Sequence, residues 1–197
     1  MEKIIHDLQY MPKGHTGHLC GTKEVVDAWL DFYSDFKFTN LLQFGFNTGW
    51  SAALLLTMFP EVKVTSIELV KIDNSSRAVD ILEERFPGRH TILWGNSIDI
   101  AGEVMSNNLK MPLPIYDAAF IDGGHSEEVT DNDIKLCRYL GIKNFIFDDV
   151  HNDEIKKAIE NNNLKLSAKK FYKETKYKIK GYVFKNNVIE LSAYHVK

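Results

Sequence analysis

Gln43-Phe44-Gly45-Phe46-Asn47-Thr48-Gly49-Trp50-Ser51 joins two different periodicities. Before it, Leu41-Leu42-Gln43-Phe44 is a short apolar run with the length of a buried strand. After it, Trp50 to Phe59 is a longer apolar stretch that reads as a buried helix. The two glycines let the chain turn sharply and bring its backbone close to a ligand. The N–H groups at the start of the helix have no carbonyl partners there and suit a polar or anionic group. The spacing is G-x-N-x-G, with Asn47 where a dinucleotide fingerprint has Gly, so a nucleoside without a pyrophosphate fits better than a dinucleotide.

Outward from this turn the pattern repeats. Val62 to Leu69, Thr91 to Trp94, Tyr116 to Ile121 and Ile142 to Phe147 read as strands. Asp73 to Phe86, Ile98 to Asn107, Glu127 to Leu140 and Asp153 to Asn161 read as the helices that follow each of them. Such alternation predicts an α/β fold with parallel strands, and right-handed crossovers make it a doubly wound, Rossmann-like sheet. The alternation stops after Asn163. Leu164 to Tyr172 and Gly181 to Tyr194 read as strands with no helix between them, Asn186-Asn187 being a candidate turn, which suggests an antiparallel end. Upstream, Val25, Val26, Trp29, Leu30 and Tyr33 recur at helical spacing behind a Gly- and His-containing loop, Met11 to His18. The chain thus reads as a single domain over 1–197: an N-terminal loop and helix (1–39), a core (40–163) and C-terminal strands (164–197).

Composition narrows the class. The chain has 197 residues, enough for one domain with a sizeable core. No apolar run approaches the roughly 20 residues that span a bilayer, and Met1-Glu2-Lys3-Ile4-Ile5-His6-Asp7 has no signal-peptide pattern. Cys20 and Cys137, far apart in apolar settings, read as reduced thiols. A cytoplasmic protein is expected. The net charge of −3 conceals an asymmetry: residues 165–197 hold nine Lys and two Glu, about +7, which leaves −10 elsewhere.

Four further stretches carry candidate chemistry, each at a strand's carboxyl end, where ligands bind in such sheets. Glu68 closes the second strand 19 residues after Gly49, where an acid can accept hydrogen bonds from both ribose hydroxyls. Trp94-Gly95-Asn96-Ser97 follows the third: Asn96 offers a donor and an acceptor to an adenine edge, and Ser97 suits that edge or a helix cap. Phe120-Ile121-Asp122-Gly123-Gly124-His125 follows the fourth, and Phe147-Asp148-Asp149-Val150-His151 the fifth. Neighbouring strands lie about 4.8 Å apart, so Asp122, Asp148 and Asp149 can converge. A hard divalent cation, Mg²⁺ above all, would relieve their repulsion.

In this order, the glycine turn, the acid, Gly-Asn-Ser, Ile-Asp-Gly-Gly-His and Phe-Asp-Asp resemble the class I S-adenosylmethionine-dependent methyltransferases, and among them the small-molecule O-methyltransferases with an IDGxH motif, of macrocin and catechol type. The resemblance covers residues 40–163. It implies a seven-stranded methyltransferase sheet whose last strand is antiparallel. It also implies a cofactor site of Gly45, Phe46, Asn47, Gly49, Glu68, Asn96, Ser97 and Asp122, and a metal site of Asp122, Asp148 and Asp149. Two departures stand out. Relatives usually have an acid at the position of Gln43. Consecutive strand residues face opposite ways, so Asp148 and Asp149 share a metal only if the strand ends there.

The expected chemistry is transfer of the sulfonium methyl to a hydroxyl of a small molecule, with Asp122 and His125 as catalytic residues and His151 as an alternative base. His15 and His18 could belong to a lid. Competing readings are a metal-independent methyltransferase acting on another nucleophile, a nicotinamide-dependent enzyme lacking its glycine pattern, and a catalytically silent cofactor-binding or scaffold domain. The lysines between Lys165 and Lys180, interleaved with Phe171, Tyr172 and Tyr177, fit a guarded sheet edge better than capture of an anionic acceptor or nucleic acid. A homodimer is compatible with this reading, and no interface motif is legible.

Overall fold

The computed structural model describes residues 11–12, 23–179 and 182–196; His15, His18, Cys20 and Lys180 lie outside the described residues. The elements run α1 (Lys23–Phe36), β1 (Asn40–Phe44), α2 (Trp50–Met58), β2 (Lys63–Glu68), α3 (Asp73–Arg85), β3 (His90–Trp94), α4 (Ser97–Met105), β4 (Ala118–Ile121), α5 (Glu127–Tyr139), β5 (Asn144–Asp148), α6 (Asp153–Asn161), β6 (Leu164–Ile179) and β7 (Tyr182–Val196). One seven-stranded sheet has the order β3-β2-β1-β4-β5-β7-β6. The first five strands pair in parallel and β7 is antiparallel to both its neighbours. The doubly wound sheet with an antiparallel end is as the alternation predicts.

Successive strand residues face opposite layers, and the core divides accordingly. Leu41, Phe120 and Ile146 join Trp29, Phe32, Phe38 and the α2 residues Ala52 to Leu56 on one side. Leu42, Ile121, Phe145 and Phe147 join Ile100, Ile134, Cys137 and Ile159 on the other. Trp29 meets Phe32, Phe38 and Phe120 edge to face at 5.0–6.5 Å, a geometry that favours the ring quadrupoles. Helix α2 is buried from Ser51 to Leu56, as an all-apolar helix must be. Cys137 is a buried free thiol. No helix among the described residues is long and apolar enough to cross a membrane.

Four local expectations change. On α1 the inward residue is Phe32, 1 % exposed, while Leu30 is 44 % exposed. Strand β4 begins at Ala118 because Asp117 leaves the strand pattern: its carboxylate accepts Thr39 N–H, Thr39 O–H and Asn40 N–H at 2.7–2.9 Å. Those bonds hold its pKa below the usual carboxylate value against the opposing effect of burial. Strand β5 begins at Asn144 and extends to Asp148. Asn186-Asn187 is no turn: β7 runs through it, with a register shift between Thr175 and Tyr177 on the facing strand.

Candidate active site

The parallel register aligns the strand ends. Phe44 pairs with Ile67 and with Ile121, Glu68 with Trp94, and Ile121 with Phe147. Residues 45, 68, 94, 122 and 148 therefore stand in one row along the carboxyl edge. The strand order reverses between β1 and β4, so this row crosses the topological switch point, the usual crevice of such sheets.

The β1–α2 turn is built from left-handed residues: Gly45 (φ 84°), Asn47 (φ 50°) and Gly49 (φ 75°). Gly45 is required twice over, since a Cβ there would lie 2.0 Å from the Asp122 carbonyl oxygen. A Cβ on Gly49 would lie 2.7 Å from the Phe46 ring and 3.0 Å from Met11. Gly49 thus makes room for Phe46, whose ring is buried and stacks on His90 at 5.0 Å. The Phe46 side chain belongs to the core, while its backbone lies in the glycine turn. His90 is pushed down to about 4 by burial and stays neutral, with Nε2 3.0 Å from the Ser66 hydroxyl.

Glu68 closes the turn. Its Oε2 accepts the N–H groups of Phe46 (2.8 Å) and Asn47 (2.7 Å), and its Oε1 accepts Val70 N–H at 3.2 Å. One carboxylate oxygen thus holds the glycine turn to β2, a duty the sequence did not reveal. Gln43 is wholly buried and donates from Nε2 to the Gly45 carbonyl (2.5 Å) and the Ser51 hydroxyl (2.7 Å). A carboxylate there would set two acceptors face to face, which explains why an amide occupies the position. The Gln43 Oε1 is left buried without a hydrogen-bond partner.

Along the row, Asn96 caps α4 by accepting Ile98 N–H at 3.0 Å. It is exposed, so its amide N–H₂ still faces outward. Ser97 sits at the first turn of α4, against the buried Asp133 of α5. Asp133, fully buried and with neither oxygen hydrogen-bonded, is the residue the sequence reading missed. Burial raises its pKa to about 7, opposed by the nearby Ser97 and Asn132 side chains. Its signal was a carboxyl on the inward stripe Thr130, Asp133, Ile134, Cys137, spaced by three and four.

The carboxylates meet beyond β4 and β5. One ligating atom each of Asp122, His125 and Asp149 lies within 4.8 Å of the other two. His125 Nε2 is 3.5 Å from Asp149 Oδ2, and His151 Nδ1 is 3.9 Å from Asp149 Oδ1. Asp148, the last residue of β5, instead accepts Asp149 N–H at 2.8 Å. Asp149 has φ 53°, so the strand has ended before it, as a shared site requires. Burial pushes the Asp122 carboxyl well above the usual range, and the charges of Asp148 and Asp149 push it further. The structure therefore groups Asp122, Asp149 and His125, with Asp148 beside them as a hydrogen-bond acceptor. His125 joins as a ligand type that the sequence treated only as a base.

No family model and no curated protein sequence matches the chain. Solved structures do match, and the class they define is the doubly wound methyltransferase fold. A provisionally named RNA methyltransferase of Pyrococcus horikoshii superposes with a TM-score of 0.65 at 12 % identity, covering 98 % of this chain and 96 % of its own. An O-methyltransferase of Bacillus cereus, solved with S-adenosylhomocysteine, gives 0.62 at 14 % over 99 % and 90 %. A precorrin-6y C5,15-methyltransferase of Geobacter metallireducens gives 0.59 at 13 % over 91 % and 91 %. Their names give RNA, oxygen and carbon chemistry on one fold, so the acceptor must be argued from the site.

Proposed function

We propose that the protein is an S-adenosylmethionine-dependent methyltransferase that methylates a hydroxyl of a small molecule with the help of a divalent cation. The observation that carries this is the single row in which the glycine turn, Glu68, Asn96 and the Asp122–His125–Asp149 group cross the switch point. The fit to the cofactor rests on three atoms of this site. Gln43 Oε1, a buried acceptor lacking a donor beside the turn, suits an ammonium group. Glu68 Oε1, bonded only weakly, suits a ribose hydroxyl. The Asn96 amide suits an adenine edge. The fit to a cation rests on the donor set: two carboxylates and an imidazole converge where burial first, and the charges of Asp148 and Asp149 next, raise the pKa of Asp122.

When bound, the cofactor supplies an electrophilic methyl group and the cation lowers the pKa of the acceptor hydroxyl. The chain's part is alignment and proton handling. Methyl transfer is an in-line displacement, so fixing both partners supplies much of the rate. The turn at Gly45 and Gly49, held by Glu68 and Gln43, fixes one partner; Asp122 and Asp149 fix the other. If His125 serves as a ligand, His151 beside Asp149 is the imidazole left to take the hydroxyl proton; without a metal, His125 takes that part.

Calorimetric titration with S-adenosylmethionine, with and without Mg²⁺, tests this reading. Micromolar binding in the wild type, at least tenfold weaker in Glu68→Ala, and a Mg²⁺ heat lost in Asp149→Ala are the outcomes it requires. No cofactor binding overturns it. Full turnover in excess chelator replaces it with the metal-independent reading.

A further inference from the structure

The donor group beyond β4 and β5 includes an imidazole, and that changes which ion it fits. Two loops build the group. Asp122 and His125 stand at either end of Gly123-Gly124, between β4 and α5. Gly124 packs directly on α5, since a Cβ there would lie 2.9 Å from the Val129 side chain. Asp149 comes from the next loop, just past the end of β5, with φ 53°. One donor atom from each of the three lies within 4.8 Å of the other two.

The spacing tells which imidazole can share an ion with the carboxylates. Two ligands held about 2.0–2.2 Å from one ion stand about 3.0–3.4 Å apart at octahedral or tetrahedral angles. His125 Nε2 is 3.5 Å from Asp149 Oδ2, close to that separation. His151 lies against the other oxygen, its Nδ1 3.9 Å from Oδ1, and is outside the three-atom group. Asp148 is also set apart, because its Oδ1 accepts the Asp149 N–H. The donor set is therefore two carboxylate oxygens and one imidazole nitrogen. Mg²⁺ takes oxygen ligands, keeps several waters and is held by one or two carboxylates, so His125 adds nothing to a Mg²⁺ site. Imidazole suits the first-row transition ions, and a mixed carboxylate–imidazole set with open positions is typical of them.

We infer that His125 is a metal ligand and that it tunes the site to a first-row transition dication, such as Mn²⁺, Fe²⁺ or Co²⁺, in preference to Mg²⁺. The inference rests on the divalent-cation part of the proposed function and names the class of ion. Almost any site with nitrogen or oxygen donors binds Co²⁺ more tightly than Mg²⁺. The distinguishing property is therefore that the preference depends on His125. If the ion touched only Asp122 and Asp149, removing the imidazole would change the affinity for both ions by the same factor.

Calorimetric titration of the metal-stripped protein with Mg²⁺, Mn²⁺ and Co²⁺ tests it, without cofactor or acceptor. The variants are His125→Asn, His151→Asn and Asp149→Ala, each checked for folding by circular dichroism. The expected result is that the ratio of the Mg²⁺ Kd to the Co²⁺ Kd falls at least tenfold in His125→Asn, mainly through weaker Co²⁺ binding. The ratio should stay near wild type in His151→Asn, and Asp149→Ala should lose both ions. Pulsed electron paramagnetic resonance of the Mn²⁺-loaded protein, with ¹⁵N-labelled histidine, reads the bond itself. Imidazole nitrogen coupling should be present in the wild type and in His151→Asn, and absent in His125→Asn. Coupling that survives in His125→Asn, or that is lost in His151→Asn, overturns the inference. So does an unchanged Kd ratio in His125→Asn while Asp149→Ala still abolishes Mg²⁺ binding, a result that leaves the proposed function standing. Failure of all three ions to bind the wild type removes the cation from the proposed function, and this inference with it.

Discussion

Replacing Asp133 by Asn removes a carboxyl group from a place where its charge has no partner. The side chain is fully buried between α5 and the start of α4, and burial raises its pKa from 3.8 to about 7. The sign follows from linkage. The folded state keeps the proton to higher pH than the unfolded state does, so Asp133 costs nothing below about pH 4. It costs progressively more as pH rises, up to about 7. At 1.36 kcal/mol per pH unit the full cost above pH 7 is about 4 kcal/mol, and at pH 5 it is under 2 kcal/mol. Asn has nearly the same shape and no charge at either pH. The stability advantage of Asp133→Asn over wild type should therefore widen by about 3 kcal/mol between pH 5 and pH 8.5, on the order of 5–10 °C in Tm for a chain of this size. Urea unfolding at the two pH values measures it. Asp122 has a raised pKa as well, but it is present in both proteins and drops out of the comparison when the two sites act independently. A gap that stays constant with pH, or a variant less stable than wild type at pH 8.5, would refute the reasoning.

Two other substitutions separate the turn from the carboxylate group. Gly45→Ala would put a methyl 2.0 Å from the Asp122 carbonyl at φ 84°. It should cost about 2–4 kcal/mol of stability and at least tenfold in S-adenosylmethionine affinity, read by thermal unfolding and calorimetry; a Tm within 1 °C of wild type would contradict the close approach of β1 and β4. Asp149→Asn should have opposite effects with and without metal. At pH 8 relief of repulsion on Asp122 should stabilise the metal-free protein by about 1 kcal/mol. The rise in Tm on adding 10 mM Mg²⁺ should vanish; an equal rise in both proteins would remove Asp149 from the metal site.

How far the sequence could be read depends on which physical variable fixed each residue. Strand ends were legible because period and turn chemistry set them: an apolar run stopping at Glu68 or Asp122 puts that residue on the carboxyl edge whatever surrounds it. The direction of Phe46 was not, because it depends on the space left by Gly49 and on the His90 ring, which is remote in sequence. The second duty of Glu68, holding the turn it faces, needs distances that no spacing encodes. Asp133 was visible as a misplaced carboxyl on an apolar stripe, but only burial turns that oddity into a raised pKa. The full length of β7 was obscured by Asn186-Asn187, turn-forming residues that two long strands override by pairing on both sides of them.

Asp149 shows where a sequence objection becomes structural information. Two adjacent aspartates in an extended strand point to opposite faces, so a shared site at Asp148 and Asp149 looked incompatible with a strand reaching both. The chain resolves this by stopping β5 at Asp148 and turning Asp149 to φ 53°, a left-handed conformation that costs a non-glycine residue on the order of 1 kcal/mol. The Asp148 carboxylate then accepts the Asp149 N–H and so supports the turn. Local strain is retained where surrounding structure enforces it, and here it carries the Asp149 carboxylate to within 3.5 Å of His125 and toward Asp122. The pair thus divides its labour: Asp148 holds the backbone in the conformation that lets Asp149 reach the site.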